Sequence, residues 1–297
     1  MPNLRDIRDR IKSVKNTRQI TRAMKLVASA KLNKATQAAL AAQPYQRTLD
    51  RVITRVLGAV GEEFSHPLLA QPDNDEVVYI VALSADRGLC GNFNSMAIKA
   101  TEQEIAKHQA EGKTVKVLAY GKKVKIHLEK RGFDVIHGEI DLDPRDYTRV
   151  ADELTARLVA DMEKNLFSQA VLVYNQYKTI MEQEPTATQV LPMKLDQAAE
   201  GEGEEADASA AQDYLFEPDG GAILGQLLPQ YLRTGIFQAF LETQAGEQAK
   251  RMTAMDAATR NASDLIDSLR LTYNRARQAY ITKELIEIVS GAEALHG

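Results

Sequence analysis

From Met252 onward, an apolar or small residue recurs in alternating steps of three and four: Met252, Met255, Thr259, Ala262, Ile266, Leu269, Tyr273, Ala276 and Tyr280. That spacing is a heptad seam, the pattern of helices that wind around one another. The first sixty residues carry a helical pattern as well, with Leu4, Ile7, Ile11 and Val14 on one face and Thr17, Thr21, Met24 and Ala28 continuing it more weakly. About 55 helical residues at ~1.5 Å each would make a rod of roughly 80 Å. One globular core does not hold two such rods, so the ends of the chain are expected to pair with each other.

Between them the texture is different. Val77–Leu83 is a buried-type strand, followed by the glycine-containing loop Ser84–Asn94 and a helix over Ala97–Gln109. Thr114–Tyr120 reads as a second strand, Lys122–Lys130 as a helix, Phe133–Ile136 as a weaker strand and Tyr147–Asn165 as a helix. Ala170–Tyr174 and Thr186–Leu191 complete the set. Strands alternating with helices imply a mostly parallel, Rossmann-like sheet. The expected organisation is therefore an N-terminal coiled-coil helix over 1–61, a central α/β domain over 62–217, and a C-terminal coiled-coil helix over 218–297. Pro44 and Pro229 are expected to kink or interrupt the long helices, because proline removes a backbone donor.

Charge is distributed unevenly. Residues 1–34 hold ten basic side chains from Arg5 to Lys34 against Asp6 and Asp9, whereas residues 196–217 hold eight acidic ones and no base. The low-complexity stretch Gln197–Gln212 cannot bury enough apolar surface to offset its ordering entropy, and is expected to be a mobile loop. The basic helix lacks interleaved aromatics and any nucleic-acid module, so a solvated face or an acidic protein sleeve suits it better. Val77–Leu83, one of the longest apolar runs, is far short of the ~20 residues that cross a bilayer. Charges from Arg5 onward interrupt any secretory pattern. Membrane association is expected only through partners.

Chemistry-bearing patterns are weak. The loop Ser84–Asn94 sits where phosphate-binding loops sit. It lacks the spacings GxGxxG and GxxxxGK[ST], and a tight strand-to-helix turn is the plainer reading. Cys90 is the sole cysteine, which rules out an internal disulfide and suits a reducing compartment. A nucleophilic role would need a nearby base. His66, His108, His127, His137 and His296 are scattered without metal-type spacing. The stretch Tyr273–Leu295 is more informative. Tyr280, Ile281, Leu285, Ile288 and Val289 cover more than one helix face, so a simple antiparallel hairpin would leave some of them wet, and such surface meets a partner.

Four segments, in order, carry a resemblance: Ile20–Ala28, Asp86–Gly91, Glu247 through Gln278, and Ile281–Ala292. Together they resemble the gamma subunits of F-type ATP synthases, over the whole chain. The resemblance implies α/β plus coiled coil: an antiparallel, left-handed pair of terminal helices and a central Rossmann-like domain. It implies a rotor in the cavity of three alpha and three beta subunits, resting on the membrane c ring beside the epsilon subunit, at the cytoplasmic face of the cell membrane. Torque would be the output, with ATP chemistry on alpha and beta; no cofactor, metal or catalytic residue is implied here.

By motif match, Met24 and Lys25 would face the moving lever of the beta subunit. Arg251, Arg277, Gln278, Thr282, Glu284 and Glu287 would meet beta-subunit loops. Tyr214 and Glu217 would lie near the c ring and the epsilon subunit. The lone cysteine departs from photosynthetic relatives that carry a redox-active pair. The acidic loop 196–213 is longer than force transfer requires and is expected to be dispensable. A coiled-coil adaptor docking some other complex, and a Rossmann-type nucleotide-binding enzyme with helical extensions, are the alternatives that the residues leave open.

Overall fold

Seven consecutive apolar-type residues, Val77–Leu83, have both faces to satisfy, and only a strand between two layers does that. In the computed structural model, which describes residues 4–60, 64–70, 72, 76–193 and 219–296, this run is β1. Its odd and even members go to different cores. Tyr79, Val81 and Leu83 pack with α-helical partners on one side, Val78, Ile80 and Ala82 with those on the other.

The remaining elements follow in chain order: α1 (Leu4–Val60), α2 (Phe93–Ala110), β2 (Thr114–Tyr120), α3 (Lys122–Lys130), β3 (Val135–Glu139), α4 (Tyr147–Glu163), β4 (Gln169–Tyr177), β5 (Gln183–Leu191) and α5 (Gly220–His296). A 3-10 turn at Pro144–Asp146 leads into α4. The sheet order is β3-β2-β1-β4-β5. β1 pairs in parallel with β2 and β4, and β2 with β3, while β5 runs antiparallel to β4. The expected mostly parallel five-stranded sheet between long terminal helices is thus what forms.

Both prolines lie inside continuous helix rather than at a break. One missing donor is a local loss, and buried neighbours on either side outweigh it: Ala39, Leu49 and Ile53 around Pro44, and Leu228 and Leu232 around Pro229. α5 starts cleanly because the Asp219 carboxylate accepts a hydrogen bond from the backbone N–H of Ala222 at 2.8 Å. The acidic segment 196–213, with Tyr214 and Glu217, lies outside the described residues.

Contacts divide the chain into two compact units, Met1–Ala30 with Arg251–Gly297, and Lys31–Lys250. In the larger unit, one face of the sheet is covered by α4 together with parts of α1 and α5, through Ile53, Leu154, Leu158, Leu228 and Ile236. Tyr147 and Tyr120 close on Phe240, with ring centroids 5.3 and 5.5 Å away. The other face is covered by α2 and α3 through Ile105, Val124 and Leu128. In the smaller unit the start of α1 and the end of α5 form a two-helix pair.

Candidate functional site: the two-helix pair and the switch-point crevice

Three side-chain contacts fix how the two helices of the smaller unit run. Arg8 Nη2 donates to Tyr273 Oη at 2.8 Å, Thr259 Oγ1 donates to Thr21 Oγ1 at 2.8 Å, and Lys25 Nζ donates to Asp256 Oδ1 at 2.6 Å. As the α1 number rises the α5 number falls by the same step to within one residue, so the pair is antiparallel. The Arg8 guanidinium also lies 5.8 Å from the centre of the Tyr273 ring. Buried apolar contacts here are few and slender, namely Ile7, Ala28, Met255, Ala262 and Ile266 among the described residues. Alanine at such positions lets two backbones approach closely and leaves low relief outside.

The same register places Leu4, the first described residue of α1, opposite the region of Arg277. Beyond that point α5 continues past the described residues of α1. Its side chains are exposed on every face through Ala292, including Tyr280, Ile281, Leu285, Ile286, Ile288 and Val289, at 45–67% of their full exposure. A helix this apolar and this wet is an unfilled contact surface. Arg277, Gln278, Thr282, Glu284 and Glu287 stand exposed on this end, so the structure gathers them on one segment. Lys283 and Glu287 pair at 3.5 Å, and a hydrogen bond to Glu284 raises the Tyr280 phenol above its ordinary pKa.

Met24 and Lys25 lie further along the pair and are half-buried, as is Arg251. Lys25 is already engaged by Asp256, whose carboxyl is held below its usual range chiefly by that hydrogen bond. Sequence reasoning missed Asp256, Thr21 and Thr259 as a set. The only available signal was a hydroxyl on each seam with an opposite charge one turn away.

The larger unit holds the second candidate. β1 leads through α2 to β2 on one side and sits beside β4 on the other, so the crevice at the C-terminal ends of β1 and β4 is a topological switch point. Open sheets of this kind bind ligands there. Here the crevice is filled from within. Asn94 Oδ1 accepts from the Ala85 N–H at 3.0 Å and its Nδ2 donates to Arg87 O at 3.1 Å. Asp86 Oδ1 accepts from the N–H of Lys122 at 2.8 Å and Ser84 Oγ from that of Val124 at 3.0 Å. Those are first-turn amides of α3 and close the neighbouring end of β2. At the β1–β4 end, Asn175 of β4 donates its Nδ2 to Phe93 O at 2.9 Å, and the fully buried Phe93 ring takes up the space.

Gly121, with φ +101°, lets this turn close, since a Cβ there would stand 2.2 Å from Ser84 O. Phe93 is fully buried under Gly246 of α5, where an added Cβ would lie 3.0 Å from the Phe93 ring and 3.3 Å from Gln183. Cys90 is buried beside Ala85 and Phe93. The loop is a tight, self-satisfied turn, and its cysteine is a packing residue. Among the described residues no cluster of three or more His, Cys, Asp or Glu side chains could hold a metal ion. None of the described helices is long and apolar enough to cross a membrane.

A half-open cavity of about 490 Å³ lies between α1, α5 and the β4–β5 hairpin, lined by Arg47, Asp50, Tyr174, Tyr231, Gln238 and Glu242, among others. Burial raises the Glu242 carboxyl above its usual range, although Gln238 donates to it at 2.9 Å. Burial, with Asp50 nearby, also pushes the Tyr231 phenol up to about 12.

A slender helix pair with an apolar, unaccompanied end, joined in one chain to a Rossmann-like sheet whose ligand crevice is filled, defines a subunit that works through its surfaces inside a larger assembly. The ATP synthase family model matches residues 3–295. An ATP synthase gamma chain of Hyphomonas neptunium is 45% identical over 298 residues, covering 99% of this chain and all of that one. One from Pelotomaculum thermopropionicum is 44% identical over 295 residues, with the same coverage. The chain belongs to the ATP synthase gamma-chain family. Its fold is shared with a chain of the Euglena gracilis mitochondrial ATP synthase, at TM-score 0.64 and 20% identity over 99% of this chain and 94% of that one. The central stalk and c ring of the Tetrahymena thermophila enzyme supplies another likeness, at TM-score 0.57 and 19% identity over 80% and 99%.

Proposed function

We infer that the chain is the central-stalk rotor of an F-type ATP synthase, carrying torque between a membrane c ring and a catalytic alpha/beta hexamer while making and breaking no bond itself. The observation that carries this is the lone end of α5, where six large apolar residues between Tyr280 and Val289 stand exposed. The six span about two-thirds of the helix circumference at ~100° per residue, with Lys283, Glu287 and Ser290 on the remainder. A sleeve that encloses this end accounts for so broad an apolar surface; a partner docking on one narrow face does not. Small residues along the pair keep its flanks smooth. Exposed charges there form contacts of roughly 0–1 kcal/mol each, weak enough to be exchanged as a surface slides.

In this reading Met24 and Lys25 face the moving lever of a beta subunit. Arg251, Arg277, Gln278, Thr282, Glu284 and Glu287 meet beta-subunit loops, and Tyr214 and Glu217 lie toward the c ring and the epsilon subunit. The two rod segments are 1–61 and 218–297, flanking the α/β domain over 62–217. The chain sits peripherally at the cytoplasmic face of the cell membrane, held there by its partners. The filled switch-point crevice speaks against the nucleotide-enzyme alternative.

The test is reconstitution of the alpha/beta hexamer with this chain carrying Ile281→Asp, Leu285→Asp and Ile288→Asp together. The α/β domain keeps its fold, and rotation of a bead fixed to the chain is lost with the ATP-driven torque. Full rotation with three aspartates in the sleeve would exclude the bearing.

A further inference from the structure

We propose that Thr21–Thr259 and Lys25–Asp256 form a register lock, a polar clasp that stops the two helices of the pair from sliding past each other under load. The argument starts from a weakness of the apolar seam. The α5 positions repeat every seven residues, as Met252, Thr259, Ile266, Tyr273 and Tyr280 in one row and Met255, Ala262, Leu269 and Ala276 in the other. A slip of one heptad therefore lays apolar on apolar again, and small buried residues such as Ala28 and Ala262 do little to oppose it. Polar residues at seam positions are what single out one register among such near-equivalents.

The clasp has the geometry for that task. Thr21 is 8% exposed, and its hydroxyl meets that of Thr259 at 2.8 Å. One helical turn away Lys25 reaches Asp256 at 2.6 Å, with Arg260 holding the other carboxylate oxygen at 3.3 Å. Slip by a heptad in one direction and Lys25 faces Ser263, Asp256 faces Leu32 and Thr21 faces Ile266. Slip in the other and Lys25 faces Ala249, Thr21 faces Met252 and Arg8 faces Ile266, although Arg18 then replaces Lys25 beside Asp256. Arg8–Tyr273 alone is a poor lock, because the first slip offers Arg8 the phenol of Tyr280 instead. Neither shifted register keeps all three contacts. The mechanical consequence rests on the rotor reading: an antiparallel pair that shears gives up twist before it delivers it.

The lock is read without torque, from spacing. Spin labels at the exposed positions Arg10 and Asn261, ten residues out of register along the pair, are measured by pulsed electron resonance in the full-length chain, free and assembled with the alpha/beta hexamer. The unaltered pair gives one narrow distance. Lys25→Asp, which sets two carboxylates together, with Thr21→Val adds a second peak displaced by roughly 7 Å, because a heptad slip moves one helix about 10 Å along the other. Lys25→Asp combined with Asp256→Lys, on the intact threonine pair, restores the single peak, and coupled ATP synthesis follows the peak. One unchanged distance in the Lys25→Asp, Thr21→Val chain overturns the lock, whatever its ATP synthesis. A second peak with undiminished synthesis keeps the lock and removes its role in torque.

Discussion

The α/β unit and the helix pair are held by opposite means. In the former, every residue of β1 after Val77 is buried, on alternating faces, and Phe93, Leu118, Leu128, Leu154 and Phe167 are all but inaccessible. Among the described residues, the latter buries only Ile7, Ala28, Met255, Ala262 and Ile266 of its apolar side chains, and it is bridged by Arg8–Tyr273, Thr21–Thr259 and Lys25–Asp256. Interiors packed to crystal density have one arrangement, whereas a thin seam leaves a helix dependent on whatever surrounds it. The contrast assigns rigidity to the part that must keep its shape and dependence to the part that must be enclosed.

The sharpest way to break that comparison is to cut each region equivalently. Phe167→Ala in the sheet core, where the ring stacks on Tyr79 at 4.4 Å, should lower stability by about 4 kcal/mol in denaturant titration. Ile266→Ala in the pair should cost about half of that or less, and should leave the main unfolding transition of the α/β unit in place. Equal effects on one transition would mean that the two regions melt together.

Backbone strain gives a second probe. Gly121→Ala forces a Cβ onto Ser84 O at positive φ, and about 2 kcal/mol should be lost from the α/β unit. An unchanged melting temperature would show that the turn is looser than its geometry. Hydrogen exchange compares the regions directly. In the free chain, amides of residues 278–292 should exchange within minutes while those of β1 and β4 stay protected for hours, and assembly should slow the first set alone. Full protection at 278–292 without partners would contradict the dependence drawn above.

The smallest effect concerns Glu242. Its folded-state pKa is raised by burial, so the folded chain takes up a proton more readily than the unfolded one. The stability tied to that proton is fully present below the ordinary carboxylate pKa and is lost as pH rises through the raised value. Glu242→Gln should therefore stabilise the α/β unit at neutral pH by up to about 1 kcal/mol. The gain should vanish at pH below about 4. A melting temperature for Glu242→Gln that is lower at pH 7 would show that the Tyr174 and Gln238 contacts outweigh burial.

The sheet was largely legible because its strands are short apolar runs between turn residues. Where boundaries moved, polar or glycine positions hid the element. β3 extends through Gly138, a residue that ordinarily weakens a strand, because the methylenes of Lys125 lie over it, the nearest 2.6 Å from where a Cβ would stand. β4 and β5 run on to Tyr177 and from Gln183 through Asn175 and Gln183 themselves, polar residues that are 0% and 5% exposed. Asn175 is there to donate to Phe93 O at 2.9 Å, a contact between residues 82 positions apart that periodicity does not encode. α2 begins at Phe93, four residues before the expected start, since that ring is an anchor rather than loop surface.

The heptad row announced the helix pair, and the wet apolar end was visible in the run from Tyr280 to Val289. The register was not visible, for the reason that makes it interesting. A seven-residue repeat is the same after seven residues, and in the proposed lock it is polar pairing across the seam, of Lys25 with Asp256 and of Thr21 with Thr259 above all, that breaks the tie. Nothing along a single strand of sequence says which lysine looks at which aspartate 231 positions away.

The unaccompanied stretch of α5 also bears on friction. A solitary stretch of helix with no packed neighbour is marginal in water, so part of the energy of its contacts with an enclosing cavity goes into keeping it helical. The grip left over is weaker than the buried area would suggest. A spindle tip held that loosely can turn in its socket without having to be torn free at each step.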